Sequence, residues 1–163
     1  MKSIFSGFLP ALFLFILTTC KPHAGNTSSS GDKIQTTYDS TLAASWGGDE
    51  YGMKSYVLVL LKRGPNRSQD SIKRAELQAA HMANISRLAK EGKLLVAGPM
   101  FDTGAIRGIY LFDVRNVEEA KKLTETDPAI QAGSLIMEMH PWYGSASMME
   151  IPKLHPRGVK KSF

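Results

Sequence analysis

The chain of 163 residues has a single cysteine, Cys20. One thiol cannot build an intramolecular disulfide framework or a thiolate-rich metal site. A large excess of charge of one sign is also lacking, since 20 Lys and Arg oppose 15 Asp and Glu and give a formal net charge of +5. The basic residues are scattered and are not interleaved with aromatic residues, which argues against a surface that follows phosphates. We therefore expect no nucleic acid among the partners.

The motifs of common nucleotide, metal and nucleophile sites are missing as well. The sequence contains no GxGxxG, P-loop, HExxH or GxSxG pattern. The spacing of metal ligands is absent among the four histidines, which are His23, His81, His140 and His155. We therefore expect neither a metal nor another cofactor. What the chain does have is 43% hydrophobic and 21% charged residues, an ordinary balance for one folded domain.

No hydrophobic run is long enough to span a membrane. Residues 4–17 are almost wholly apolar, but at about 1.5 Å per helical residue they fall short of the roughly 30 Å hydrocarbon core. Lys2 precedes this run and Cys20 follows it closely, an arrangement that resembles the lipobox of bacterial lipoproteins. We predict that residues 1–19 are a signal peptide and that a lipid on Cys20 anchors the protein in the membrane of the cell envelope. The alternative is an ordinary secretory signal with a coincidental cysteine.

The segments on either side of the main domain are predicted to be appendages. Residues 20–50 begin as a polar, flexible tether and continue as an N-terminal extension able to pack on the domain. In this extension Leu42 and Trp46 share a helical face that glycines end. Residues 146–163 are interpreted as a basic, solvated tail because they hold the densest group of cations. This group is Lys153, Arg157, Lys160 and Lys161.

Residues 51–145 are predicted to form the domain, in the order β-α-β-β-α-β. The pattern predicts strands over 54–62, 94–97, 108–114 and 135–140, helices over 71–91 and from Asn116, and a short helical turn from Asp127 to Gly133. This order is typical of the ferredoxin-like α+β fold, in which two helices cover one face of a four-stranded antiparallel sheet.

The first strand is apolar on both faces, although helices would cover only one of them. The alternating side chains are Tyr56, Leu58 and Leu60 on one face and Val57, Val59 and Leu61 on the other. An uncovered apolar face favours a homodimer in which two sheets pack together and enclose a cavity for a small molecule. The alternative is that an extension of the same chain covers this face.

Several short motifs, in a fixed order, resemble those of the YCII-related domain family over about residues 51–145. They are His81-x3-Ile85-x2-Leu88-Ala89-x2-Gly92-Lys93-Leu94-Leu95-x-Ala97-Gly98-Pro99, Arg107-Gly108-Ile109, Glu119-Ala120, Thr126-Asp127-Pro128-Ala129-Ile130-x-Ala132-Gly133 and Glu138-x-His140-Pro141-Trp142. The resemblance implies a dimeric α+β barrel and a cleft where a helical histidine meets the aspartate of the Asp-Pro step. Here these are His81 and Asp127. Related barrels include isomerases, dehalogenating lyases and monooxygenases that act on small aromatic compounds.

His81 and Asp127 are the candidate catalytic residues. An imidazole can exchange a proton near neutral pH, and a neighbouring carboxylate can orient it. This pair suggests a cofactor-free lyase or isomerase that moves a proton on a small aromatic or carboxylic compound. Each residue also has a structural interpretation, His81 as a hydrogen-bonded core histidine and Asp127 as a helix N-cap. The alternative function is a lipoprotein that binds a small molecule or docks an envelope partner without catalysis.

Three further residues are candidates for substrate binding. Arg107 has the geometry to receive a carboxylate in a bidentate manner, although a surface arginine is the ordinary interpretation. His140 shares a strand face with Glu138 and would position a substrate if that face lines the dimer cavity. Trp142 would wall the same pocket, or would instead fill a dimer interface.

Overall fold

The computed structural model describes residues 37–67 and 70–161, so the predicted signal peptide, Cys20 and the tether lie outside the described residues. The strands are β1 (Met53–Arg63), β2 (Leu94–Pro99), β3 (Ile106–Phe112) and β4 (Leu135–Ser145). The helices are α1 (Ser40–Trp46), α2 (Ser71–Lys90), α3 (Val117–Thr124), α4 (Pro128–Gln131) and α5 (Ile151–Gly158), with a 3-10 helix over Ala146–Glu150.

The four strands form one antiparallel sheet in the order β2-β3-β1-β4. With α2 and α3 as the two connections across the sheet, this is the ferredoxin-like α+β fold that the sequence predicts. The main difference is the length of β4, which continues past His140 to Ser145 and pairs with β1 as far as Met53. A proline at position 141 does not end the strand because β4 lies at the edge of the sheet, where a missing donor is tolerated.

Local signals in the sequence explain where the helices begin and end. The carboxylate of Asp70 accepts hydrogen bonds from the first turn of α2, and Asn116 caps α3 in the same way. Gly92 follows α2 with a φ of 70°, a left-handed conformation that glycine adopts without strain. These caps set where the two helices begin and where α2 ends.

The helix-covered face of the sheet holds the larger hydrophobic core. Side chains from β1 and β3 pack there against α2 and α3. The buried members are Val57, Val59, Leu61, Leu88, Leu94, Tyr110, Phe112, Val114 and Ala120. A second, smaller cluster on the opposite face contains the buried side chains of Tyr56, Leu95 and Leu111. The two-sided apolar pattern of β1 therefore corresponds to two cores, one on each face of the sheet.

The expectation of a solvated tail over residues 146–163 is wrong for its first part. Ala146 is fully buried, and Met148 and Met149 pack on the second cluster beside Trp142. The apolar residues at the end of β4 need cover, and the chain that follows supplies it at once. The cations of α5 and beyond remain exposed, as predicted.

The N-terminal extension meets the same appendage. Helix α1 contains Leu42 and Trp46 and ends at Gly47, whose φ is 68°. The indole Nε1 of Trp46 donates a hydrogen bond of 2.7 Å to Glu150, and Lys153 pairs with the same carboxylate at 2.7 Å. The extension thus packs against the C-terminal appendage.

The appendage leaves part of the second sheet face open. Leu58, Leu60 and Ile109 are only half-buried there, and Ile136 is 47% exposed. These residues are neighbours across β3, β1 and β4, since Leu60 pairs with both Ile109 and Glu138. We call Leu58, Leu60, Ile109 and Ile136 the open apolar patch.

Candidate active site

Three side chains from separate elements meet on the helix-covered side of the sheet. His81 lies in the middle of α2, Tyr110 in β3, and Asp127 directly before α4. The Nδ1 atom of His81 is 2.8 Å from Oδ2 and 3.0 Å from Oδ1 of Asp127. The hydroxyl of Tyr110 donates to Oδ2 of Asp127 at 2.8 Å. We call these three residues the His–Asp–Tyr cluster.

Asp127 is the centre of this cluster and is fully buried. It is also the N-cap of α4, because its Oδ1 accepts the backbone N–H of Ala129 at 2.9 Å. The same carboxylate therefore caps the helix and contacts the imidazole. The following Pro128 lacks an N–H and fits the first turn of the helix.

The hydrogen bonds to Asp127 determine its ionisation. Burial alone would raise the pKa of the Asp127 carboxyl. Hydrogen bonds from His81, the Ala129 N–H and Tyr110 oppose this effect and hold the pKa below its ordinary value. An ionised carboxylate only accepts hydrogen bonds. Nδ1 of His81 therefore carries the proton of this hydrogen bond. Nε2 is the ring nitrogen that does not contact Asp127.

Tyr110 is the member of the cluster that the sequence analysis missed. Its side chain is 1% exposed, and burial together with the neighbouring Asp127 charge raises the pKa of its phenol far above the ordinary value. Its ring lies 6.3 Å from the His81 ring at an interplanar angle of 23°. The available signal was a tyrosine at a buried strand position, because a buried hydroxyl needs a partner. The partner depends on tertiary contacts that spacing does not reveal.

A second set of hydrogen bonds ties α2 to the loop that carries Asp127. Arg87 donates to Asn84 and to Thr126, each at 2.8 Å, and the Thr126 hydroxyl contacts Asn84 at 3.1 Å. Thr126 immediately precedes Asp127, and Asn84 lies one helical turn from His81. This network ties α2, which carries His81, to the loop that carries Asp127.

His81 itself keeps limited access to the outside, with a side chain that is 13% exposed. One ring nitrogen is held by a buried carboxylate and the ring is not fully covered. This arrangement is suited to general acid or base chemistry at Nε2.

The structure places His140 and Trp142 on the opposite face of the sheet from the His–Asp–Tyr cluster. The β1–β4 register pairs Leu58 with His140 and Tyr56 with Trp142. The Trp142 ring lies 5.8 Å from that of Tyr56 in the second cluster. Because they lie on the opposite face, this placement does not support His140 and Trp142 as ligands for a substrate of His81 in the same subunit.

His140 and Arg107 have local partners of their own. His140 Nε2 is 2.8 Å from Glu138, whose other oxygen forms an ion pair with Lys62. Arg107 is half-buried, and its Nη1 donates a long hydrogen bond of 3.4 Å to the Asp102 carbonyl in the same hairpin. The predicted roles of these residues in substrate binding stay predictions.

Metal-ligand clusters and membrane-spanning helices are absent from the described part of the chain. Residues 37–67 and 70–161 contain no group of three or more His, Cys, Asp or Glu side chains placed to hold a metal ion. In the same ranges no helix has the length and apolar character needed to cross a membrane.

Fold and cluster together define a ferredoxin-like α+β domain with a buried carboxylate–imidazole pair on the helix side of its sheet. The family model of the YCII-related domain matches residues 56–143, which is more than half of the chain. The chain therefore belongs to the YCII-related domain family. A comparison with curated proteins finds no match.

Among solved structures, the chain is similar to 5-chloro-2-hydroxyhydroquinone dehydrochlorinase (TftG) from Burkholderia phenoliruptrix AC1100, in complex with 2,5-dihydroxybenzoquinone. The identity is 20% and the TM-score is 0.41. The match covers 53% of this chain and 92% of that chain. A likeness of this size does not show a shared activity.

Replacing Asp127 tests how much stability the cluster contributes. Asp127→Ala removes the cap of α4 and leaves the donors of Tyr110, His81 and Ala129 without their acceptor. We expect a loss of about 3–5 kcal/mol in the free energy of unfolding at pH 7, measured by urea denaturation. Asn116→Ala is the matched control, because it removes an exposed cap only and should cost about 1 kcal/mol. Equal losses would contradict the central place of Asp127.

The conservative variant Asp127→Asn separates charge from capping. The folded pKa of Asp127 is lower than its unfolded value, so the charged carboxylate stabilises the fold fully above the unfolded pKa of about 3.9. This contribution is lost as the pH falls through the folded pKa. The stability difference between wild type and Asp127→Asn should therefore shrink below about pH 4. A difference that is constant with pH would contradict an ionised Asp127.

Proposed function

We propose that the protein is an enzyme that moves a proton on a small aromatic or carboxylic compound without a cofactor, as a lyase or isomerase does. The observation that carries this proposal is the contact of 2.8 Å between His81 Nδ1 and the fully buried carboxylate of Asp127. A buried ionised group is costly unless it is well hydrogen-bonded. Asp127 has three donors around it, which supports a site built to hold a charge beside an imidazole.

In this mechanism His81 is the residue that takes and returns the proton. The carboxylate holds the hydrogen on Nδ1, so Nε2 presents a lone pair to an acidic C–H or O–H of the substrate. When Nε2 takes the proton, the ring becomes an imidazolium and Asp127 stabilises its positive charge. The imidazolium then returns the proton to another atom of the substrate for isomerisation, or to a leaving group for elimination.

We also propose that the domain is a homodimer, forming the dimeric α+β barrel of the sequence prediction. The open apolar patch supports this proposal because the C-terminal appendage covers only one part of that sheet face. A partner sheet would bury Leu58, Leu60, Ile109 and Ile136. Glu138, His140 and Lys62 lie in the same neighbourhood and would enter the cavity between two sheets.

A third proposal concerns the place of the protein in the cell. The short apolar run over residues 4–17 and the cysteine that follows it support a lipid anchor at Cys20. The domain would then face the periplasm or the exterior at the surface of an envelope membrane. Neither the run nor Cys20 is among the described residues.

The catalytic proposal predicts exchange of substrate protons with solvent. Compounds that co-purify with the full chain are identified by mass spectrometry and incubated with it in D₂O, together with small phenols and carboxylic acids. We expect one compound to gain deuterium at carbon, as read by NMR, and His81→Gln to slow this exchange about 10²–10⁴-fold. His155→Gln, an exposed histidine on α5, is the control and should leave the rate unchanged. A compound that is retained without exchange would instead indicate a non-catalytic binding protein.

The dimer proposal predicts that one charge in the open apolar patch separates the subunits. Residues 38–163 form one compact unit, and light scattering should give twice its chain mass at micromolar concentration. Leu60→Lys should give the monomer mass, while its cross-strand neighbour Glu138 stabilises the new charge in the folded subunit. Ile72→Lys on α2, where Ile72 is largely exposed, should remain dimeric. A monomeric wild type would contradict the proposal.

The lipid anchor predicts that Cys20 decides where the protein is found. The mature chain should partition into detergent and begin with an acylated Cys20, as seen by intact mass. Cys20→Ser should release it into the soluble fraction or stall its processing. An unmodified N-terminus at another residue would exclude the anchor.

A further inference from the structure

The chain has two fully buried tyrosines in the centre of its sheet, and their hydroxyls have different partners. Tyr56 donates to the backbone carbonyl of Ser145 at 3.0 Å, on the face that carries the second cluster. Tyr110 donates to the carboxylate of Asp127 at 2.8 Å, on the helix-covered face. A phenol that binds a backbone carbonyl supports the fold, whereas one that binds the carboxylate of the site acts on its charge.

The donors around Asp127 divide between its two oxygens. Oδ1 accepts the Ala129 N–H at 2.9 Å, and Oδ2 accepts the Tyr110 hydroxyl at 2.8 Å. His81 Nδ1 lies within 3.0 Å of both. The backbone N–H holds one end of the carboxylate and the phenol holds the other, so the plane of the carboxylate is fixed with its edge toward the imidazole.

The Tyr110 ring also lies near the imidazole. It lies nearly parallel to the His81 ring, and its hydroxyl is 3.5 Å from Nδ1, too far for a strong hydrogen bond. Phe112 meets the Tyr110 ring in an edge-to-face contact at 5.7 Å between centroids. Tyr110 therefore contacts both members of the dyad without competing for the Nδ1 proton.

We infer that Tyr110 is the positioning residue of the His81–Asp127 pair, with its hydroxyl holding Asp127 as a charged, oriented acceptor so that Nε2 of His81 faces the substrate. This inference rests on the proposed function for its catalytic meaning, but its physical content does not require turnover. Without the hydroxyl, Oδ2 has one donor fewer, and a less stabilised carboxylate attracts a proton more strongly.

The experiment compares Tyr110→Phe with Tyr56→Phe in the full chain in detergent micelles. Aspartate is labelled with ¹³C at the carboxyl group, and the Asp127 signal is assigned by its loss in Asp127→Asn. Tyr110→Phe should move the Asp127 titration upward by about one pH unit, since a hydrogen bond to a charged group is removed. Tyr56→Phe removes the hydroxyl of the other buried tyrosine, on the opposite face of the sheet, and should leave this titration unchanged.

A second substitution changes the phenol in the opposite direction and keeps its shape. Replacing the tyrosines by 3-fluorotyrosine in the Tyr56→Phe background makes the Tyr110 phenol a stronger donor, and it should move the Asp127 titration downward. The ¹⁵N spectrum of His81 should show the proton on Nδ1 in the wild type. Its Nδ1 proton signal should move downfield in Tyr110→Phe, as the carboxylate draws more strongly on the imidazole.

An Asp127 titration that is the same in Tyr110→Phe and in the wild type would overturn the inference, whatever the activity. A shift equal to that in Tyr56→Phe would also overturn it, because any buried hydroxyl would then have the same effect. If the predicted shifts occur and no compound exchanges protons, Tyr110 still orients the pair and only the catalytic proposal fails. If the predicted shifts and proton exchange both occur, the exchange rate of Tyr110→Phe should fall off at a higher pH on the acidic side, in step with its Asp127 titration.

Discussion

The site depends on one buried carboxylate. Asp127 is removed from water, and its ionised form persists because three donors from different parts of the chain surround it. One of these donors belongs to the helix that the carboxylate caps, another to the sheet and the third to α2. The same carboxylate therefore caps the start of α4, accepts the hydrogen bond of the buried Tyr110 phenol and orients the His81 imidazole. Removing any one donor therefore changes the strength of the hydrogen bonds from the other two.

The two faces of the sheet carry different features of the fold. On the helix-covered face, the packing of α2 against the core brings His81 over Tyr110, while Arg87 and Thr126 hold the loop of Asp127 close to α2. The other face has a smaller core, a C-terminal appendage and the open apolar patch. Because alternate residues of β1 point to opposite faces, this one strand supports the site with Val57 and Val59 and the patch with Leu58 and Leu60.

The sequence predicted those features that depend on local chemistry. The helix predicted over 71–91 is observed as Ser71–Lys90, and Asn116 and Asp127 stand at the starts of α3 and α4, whereas α5 was not predicted. The pairing of His81 with Asp127 came from the family resemblance, because 46 residues separate the two and no periodicity connects them. Tyr110 was missed because its partner is set by how β3 and α4 pack in three dimensions. The basic residues of the C-terminal segment predict a tail, but Met148 and Met149 at its start cover the second cluster, and no charge pattern reveals that contact.

In the proposed mechanism, the buried pair of His81 and Asp127 is a compromise between stability and reactivity. Replacing Asp127, His81 and Tyr110 by apolar side chains of similar volume would remove the desolvation cost of a charge, and such replacements are often neutral or stabilising elsewhere. A cap for α4 alone would not need a fully buried carboxylate, since the exposed Asn116 caps α3 with one hydrogen bond of 2.8 Å. Nor would core packing need a hydroxyl at position 110, where phenylalanine has nearly the same volume. The polar atoms in this core are therefore better explained by what they do for His81 than by what they add to the stability of the fold.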